Sequence, residues 1–512
     1  MKPIIFILSL LTSLFCYAQE GLEFSSNTQL YLKGNSVLIG NNSISADTKK
    51  PFNDNSEFND VLKLEYVDVD DDKLTFSSSQ ANLNIPETAS KIKYAALYWS
   101  AIYKYDKGTR KIINNEKMVY RGKEERSEDV NTILFKTPET KYQTLTGTVV
   151  YDSYKTNLFN DTKPYVCFAD VTSLLQNLKN PNGTYTVANI KATEGYVSGG
   201  CAAGWLLYVV YESETETPKY FTTYNGFVAV DKAAVAIQFK DFKTDEAGAI
   251  KTSLLLGALE GDQKFKSDQC AILDAQKTDY VPLFNKIRPK NNFFNSTITT
   301  DDALYANRTP NSSNTLGFDL LKMEIPNKNN AIISNNSSET TIQFKTKADG
   351  FYLFFVAFET EISPIYLEEK SNTETLVVFD KSETDATVAQ DEDTLKVVEP
   401  VYKEIPKKTH QTTPKKKTPL ERIKNIKSIH IPNLVKGYYL VTNVFSVPEN
   451  ATKWMKVLEK KGYTPKSYIN PKNGWNYIYL KNDEDPNAIY QKQKELSKLA
   501  DFQNIWILKI NY

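Results

Sequence analysis

Side chains able to do chemistry are few in this chain, and where they fall narrows what it can do. Its two histidines, His410 and His430, stand in or beside a Lys- and Pro-rich stretch rather than in any apolar strand run. The long β-rich region before them therefore offers no histidine for a Ser-His-Asp triad or a zinc site. Asp and Glu together number 62. A carboxylate-pair glycosidase thus stays formally open, but no spacing singles out a pair. Asp68, Asp70, Asp71 and Asp72, in YVDVDDDKLTF, gather carboxylates at a strand end or turn where a hard cation such as calcium can bind. The glycine and distal glutamate of an EF-hand loop are missing. A solvated acidic turn therefore competes with a calcium site on Asp68, Asp70 and Asp72, and no other cofactor is implied. Cys167, Cys201 and Cys270 allow one disulfide plus one thiol, or three buried thiols in strands. There is no phosphate-cradling glycine loop and no aromatic-basic RNA motif. The expectation is a protein that is not an enzyme.

The most informative side chains are aromatic and lie in residues 437–512. Strand alternation turns Ile478 and Leu480 inward and Trp475, Tyr477, Tyr479 and Lys481 outward. On an earlier strand, Tyr439, Val441 and Asn443 share one face. Rings with polar edges suit the apolar faces and hydroxyls of sugars. The same rings can instead cover the sheet or pack on a partner. The candidate binding residues are Trp475, Tyr477, Tyr479, Lys481, Tyr439 and Asn443.

The elements that must position them read strand, helix, strand, strand, helix, strand, a βαββαβ plan. A helical pattern from Pro448 stops at Gly462, and the turn Pro471-Lys472-Asn473-Gly474 separates two strands. A second helical run follows Pro486. Ala451, Trp454, Met455 and Leu458, and then Ile489, Leu496 and Leu499, fall at helical spacing as core stripes.

Upstream, residues 19–366 read as mainly β. Strand runs cover 94–99, 206–211, 227–230, 253–259 and 351–358, with turn formers between them. Residues 170–178 make one short helix capped by Asp170. Many short strands predict a large β-sandwich or jelly-roll-like region, in one piece or two packed subdomains. Residues 367–432 turn acidic, then basic, around Pro406, Pro414 and Pro419, which predicts a disordered linker. Its basic half can lie on an anionic polymer or membrane surface, or stay solvated. Residues 433–512 form the small α+β domain.

With 512 residues, two or more domains are expected, and zero net charge gives no basic field for nucleic acid. Residues 1–18 read as a cleaved signal peptide: Lys2, an apolar run over 4–15, then Cys16 and Ala18 at the cleavage positions. Acylation at Cys16 is the alternative, disfavoured by the bulky Phe15. No other stretch is apolar enough for a transmembrane segment.

Two resemblances add to this reading. YVCFADVTSLL, NGTYTVANI, AGWLLYVVYE, YNGF, EGD, NFFNSTI and NTLGFD, spread over about residues 93–362, resemble a β-domain of secreted, adhesin-like surface proteins, notably of gliding Bacteroidetes. That likeness implies no catalysis and names no ligand. GYYLVTNVF, NPKNG, YIYLK and IWIL in the tail resemble a SPOR domain, similar to SPOR-like tails of Bacteroidetes gliding-motility and type IX secretion proteins. Many members carry glutamine where Val441 stands and Gly-Ser where Asn443-Val444 stands. The resemblance implies binding to peptidoglycan glycan strands, with the β-region meeting an envelope or outer-membrane protein. It also implies an exported protein, periplasmic or outer-membrane-associated. A surface-exposed adhesin with the tail as a protein-interaction module is the alternative.

Overall fold

The computed structural model describes residues 20–70, 72–113, 117–348, 350–379, 429–430, 434–445, 448–470, 475–497, 499, 502 and 505–511. The signal segment, Asp71, His410, linker residues 380–428 and the turn at 471–474 lie outside the described residues. The chain is mainly β and divides into two units, Met1–Val388 and Ala389–Tyr512. Among the described residues, no helix is long and apolar enough to cross a membrane.

In the first unit the five apolar runs lie inside strands Lys91–Ile102, Ala203–Glu212, Pro218–Val230, Thr252–Leu259 and Phe351–Glu361, all in one sheet of eleven strands. They are apolar at successive positions because both faces are covered. On one face Tyr98 and Tyr208 meet Phe355, with ring centroids 5.0 and 6.0 Å apart. All three rings belong to the eleven-stranded sheet, so its two halves face each other. On the other face, Trp205 Nε1–H donates to Ser79 Oγ at 2.9 Å, in a separate five-stranded sheet. The changeover between halves falls in the long first strand, Gly21–Asn42. Residues 34–42 pair with Ala203–Glu212, and residues 21–33 pair with Pro218–Val230. Gly34 sits at that switch, where any Cβ would overlap the carbonyl oxygen of Tyr211. A four-stranded sheet covers the outer face of the second half, and there Phe239 stacks on Phe358 at 4.6 Å.

Helices are minor in this unit. The expected helix is shorter, Thr172–Gln176, and the residue at its N-cap is Val171 without a side-chain cap; Asp170 lies one residue earlier, where Oδ1 accepts the Thr172 N–H at 2.8 Å. The helix Pro364–Phe379 carries regular structure past 366, into the segment read as linker.

Three of the sequence strings meet at one buried polar node. Asp319, from NTLGFD, accepts backbone N–H groups of Asn295, Ser296 and Thr297 from NFFNSTI at 3.1, 2.9 and 3.2 Å. Ser296 Oγ–H donates to the carbonyl of Gly261, from EGD, at 2.7 Å. A side chain on Gly261 would collide with the Asp319 carboxylate. Arg288, fully buried, closes the node with an N–H to Asp319 Oδ1 at 2.8 Å. These strings therefore build a buried node that holds the fold together.

Beside the node, burial raises the Asp268 carboxyl to about 7, helped by the charge of Asp319 and opposed by the N–H of Phe294. The folded pKa lies above the ordinary 3.8, so between these values the folded state holds a proton the unfolded chain has released. Stability is expected to fall as pH rises through that window. Urea midpoints at about pH 5 and about pH 8 should differ for the native chain and converge for Asp268→Asn.

The second unit has a five-stranded sheet in the order Ile429–His430, Trp506–Asn511, Gly437–Phe445, Asn476–Asp483, Lys466–Ile469. Helices Pro448–Lys460 and Pro486–Leu496 cover one face. They bury Leu440, Ala451, Leu458, Ile478, Ile489 and Leu496, with Trp454 and Met455 packed alongside. Gly462, at φ +85°, ends the first helix, and the Tyr463 N–H turns back to the Leu458 carbonyl at 3.0 Å. Asp485 opens the second by accepting the Asn487 N–H at 2.9 Å, with Pro486 in the first turn. Leu499 leaves the expected core stripe: it lies beyond the helix end and is exposed.

Candidate functional site

The sheet face opposite the helices carries a second cluster. Tyr439, Val441, Leu508 and Ile510 are buried there, with Tyr468, Tyr477 and Tyr479 packed against them. Register arranges these side chains in rows, because residues directly opposite in antiparallel strands share a face. One row runs Tyr468, Tyr477, Val444. The next runs Lys466, Tyr479, Val441, Trp506 across four strands. The third sets Tyr439 opposite Leu508, and its ring meets that of Tyr479 edge-on at 5.1 Å.

The face thus has a buried apolar floor and a half-buried aromatic surface. Tyr439 is only 2% exposed, and its hydroxyl donates to the Val435 carbonyl at 2.6 Å, so it serves as floor rather than as a contact. Burial raises its phenol to about 12, with Tyr479 acting in the same direction. Burial also raises Tyr468 and Tyr479 above the ordinary value. These rings stay neutral near pH 7 and act through their faces and hydroxyl hydrogen bonds. Tyr477 and Tyr479 are half-buried, Trp506 is 39% exposed, and Lys466 reaches water at the end of its row.

The structure brings together only part of the sequence-derived set. Tyr477 and Tyr479 share the face as expected, with Ile478 inward beneath the helices. Trp475 lies just before the strand, 47% exposed, and its carbonyl accepts the Asn470 N–H at 2.9 Å. Lys481 and Asn443 leave the face. Register shifts fall between Leu440 and Val441 and between Val441 and Asn443. Each extra residue breaks strict alternation, so side chains beyond it change sides. Lys481 stands opposite Leu440 of the helix-side core and pairs with Asp483 at 3.5 Å. Asn443 stands opposite Ile478, not on the Tyr439 and Val441 side, and is exposed. The extra residues are Leu480, before Lys481, and, before Asn443, Thr442, whose hydroxyl accepts the Trp454 indole N–H at 3.1 Å.

Tyr468, Trp506 and Lys466 were missed in the sequence. Their signal was the same period of two, in 466/468 and 506/508, on strands that were read only as scaffold.

The acidic turn is already satisfied from within. Ser78 Oγ lies 2.8 Å from Asp68 Oδ1 and 2.9 Å from Asp70 Oδ1, and Tyr142 donates to the other Asp70 oxygen. Asp72 accepts the Leu74 N–H at 3.0 Å. Burial pushes Asp70 up, but donors from Tyr142, Ser78, Asp72 and Thr75 outweigh it and hold the carboxyl below its ordinary value. Among the described residues, no three His, Cys, Asp or Glu side chains are placed to hold a metal ion.

Cys167, Cys201 and Cys270 are all free and buried, which selects the three-thiol alternative over a disulfide. Cys167 and Cys201 point their thiols at the carbonyls of Val130 and Ile102, at 3.5 and 3.3 Å. Burial raises all three well above the ordinary thiol range.

No protein-family model matches the chain, and a search of curated proteins finds no significant relative.

Proposed function

We propose that this is a non-catalytic binding protein of the cell envelope, whose C-terminal unit grips glycan strands through the aromatic face of its sheet. The observation that carries this reading is the pair of rows Tyr468–Tyr477 and Tyr479–Val441–Trp506 over an apolar floor. Rings with polar edges, set in rows along one sheet face, suit a polymer that offers alternating apolar faces and hydroxyls. The likeness of the tail to SPOR domains supports peptidoglycan as the source of that polymer.

In this reading the first unit is a β-sandwich-like adhesin relative that engages an envelope or outer-membrane protein. The acidic-then-basic linker tethers it to the SPOR-like unit. Gliding motility or type IX secretion is the setting that the resemblances favour, with the chain exported to the periplasm or the outer membrane. Val441 fits the proposal without the family's glutamine, because here it forms apolar floor between Tyr479 and Trp506. The purified chain is expected to pellet with peptidoglycan sacculi, more strongly after amidase removes the stem peptides. Failure to pellet with either preparation would overturn the proposal.

A further inference from the structure

In the first unit, strands Lys107–Ile113 and Lys117–Gly122 form a ribbon that, among the described residues, pairs with other strands only at its base, through Glu194–Gly195. The near half of the ribbon is fastened down. The Arg110 guanidinium lies 4.3 Å over the Tyr196 ring and donates to the Val61 carbonyl at 3.0 Å. Tyr120 donates to the Asp60 carbonyl at 3.2 Å.

In the far half the fastening extends only to the Met118 sulfur, which accepts from Arg110 at 3.9 Å and from the Tyr120 hydroxyl at 3.4 Å. Ile112 and Met118 stand directly opposite each other on the face that Arg110 and Tyr120 occupy nearer the base. They are 61% and 43% exposed. On the other face, Lys107, Lys111 and Arg121 are exposed and neither strand contains an acidic residue; just past the second strand Lys123 is exposed, followed by exposed Glu124 and Glu125. None of these four cations is ion-paired among the described residues. Lysines alone guard an open ribbon edge against pairing with another strand. They do not account for two large apolar side chains as exposed as Ile112 and Met118.

We propose that this ribbon is a docking element for an anionic phospholipid bilayer. Cations on one face attract the headgroup layer, and the Ile112–Met118 pair enters the boundary between headgroups and acyl chains. Interfacial elements bind in this way, by apolar area plus attraction to anionic lipid. Long Lys and Arg stems let the charges remain at headgroup level while the apolar pair goes deeper. A soluble acidic polysaccharide would satisfy the cations but has no use for the apolar pair, and that difference separates the two sources of negative charge.

The test is flotation of the full chain with vesicles of phosphatidylcholine, with and without phosphatidylglycerol. Binding is expected only with phosphatidylglycerol, and it should weaken with added salt. Lys111→Gln with Arg121→Gln should weaken it about 30-fold. Ile112→Ser with Met118→Ser, which leaves the charge unchanged, should weaken it about tenfold. Equal flotation with both vesicle types, or none with either, overturns the proposal. So does a serine variant that binds vesicles like the native chain while the glutamine variant loses binding to both vesicles and heparin, since that marks an acidic-polymer site. Pelleting with sacculi should be unaffected in every variant, so the outcome is independent of the glycan-binding reading.

Discussion

Replacing Asp319 with alanine is expected to cost about 3–5 kcal/mol of the first unit's stability, because it strands a buried guanidinium. Arg288 is fully buried and all its N–H groups are used. Nε donates to Thr299 Oγ1 at 2.8 Å, and the remaining donors reach the carbonyls of Phe293, Thr297 and Leu320 and the Asp319 carboxylate. Burial lowers the Arg288 pKa, and the charge and hydrogen bond of Asp319 are the largest influences opposing it, so removing Asp319 takes away most of what offsets the burial of the guanidinium. The same carboxylate collects three successive backbone N–H groups, which lose their acceptor together. The paired change Arg288→Met with Asp319→Leu should be less damaging than Asp319→Ala alone, since no charge is left unpaired. Urea denaturation of the three proteins at one pH measures the order. Equal midpoints for the native chain and Asp319→Ala would contradict it.

The second large effect is expected on binding. Tyr479→Ala and Trp506→Ala should each weaken attachment to amidase-treated sacculi roughly 30-fold, as central aromatic contacts do in binding interfaces. The two share one row through Val441, so the double variant is expected to lose pelleting altogether. Asn443→Ala and Lys481→Ala provide the contrast. Both positions fall on the other side of the register shifts, and both variants should pellet like the native chain. Tyr439→Phe should also bind normally, because its hydroxyl is spent on the Val435 carbonyl.

These contrasts show what was legible in the amino-acid order. Continuous apolar runs such as AGWLLYVVYE mark strands covered on both faces, and Ala203–Glu212 is such a strand. The helices of the second unit were legible because their boundary signals are local: Pro486 at one start, Gly462 at one stop. Pairing between distant segments was not. That the eleven-stranded sheet turns on itself at Gly34 depends on Tyr211, far along the chain. The bulges that move Asn443 and Lys481 depend on how two strands meet, which alternation within either strand cannot show. For the same reason Trp506 joins the aromatic face only through pairing with Val441. The acidic turn left a cation site and a solvated turn open because the donors its carboxylates accept, Ser78 and Tyr142, come from other segments.

Hydrogen exchange of the full chain, with and without purified glycan strands freed of stem peptides, tests the central claim most directly. The proposal predicts that glycan slows exchange in strands Lys466–Ile469, Asn476–Asp483 and Trp506–Asn511 and leaves the first unit unchanged. Protection confined to the first unit, or no protection anywhere at saturating glycan, would contradict it.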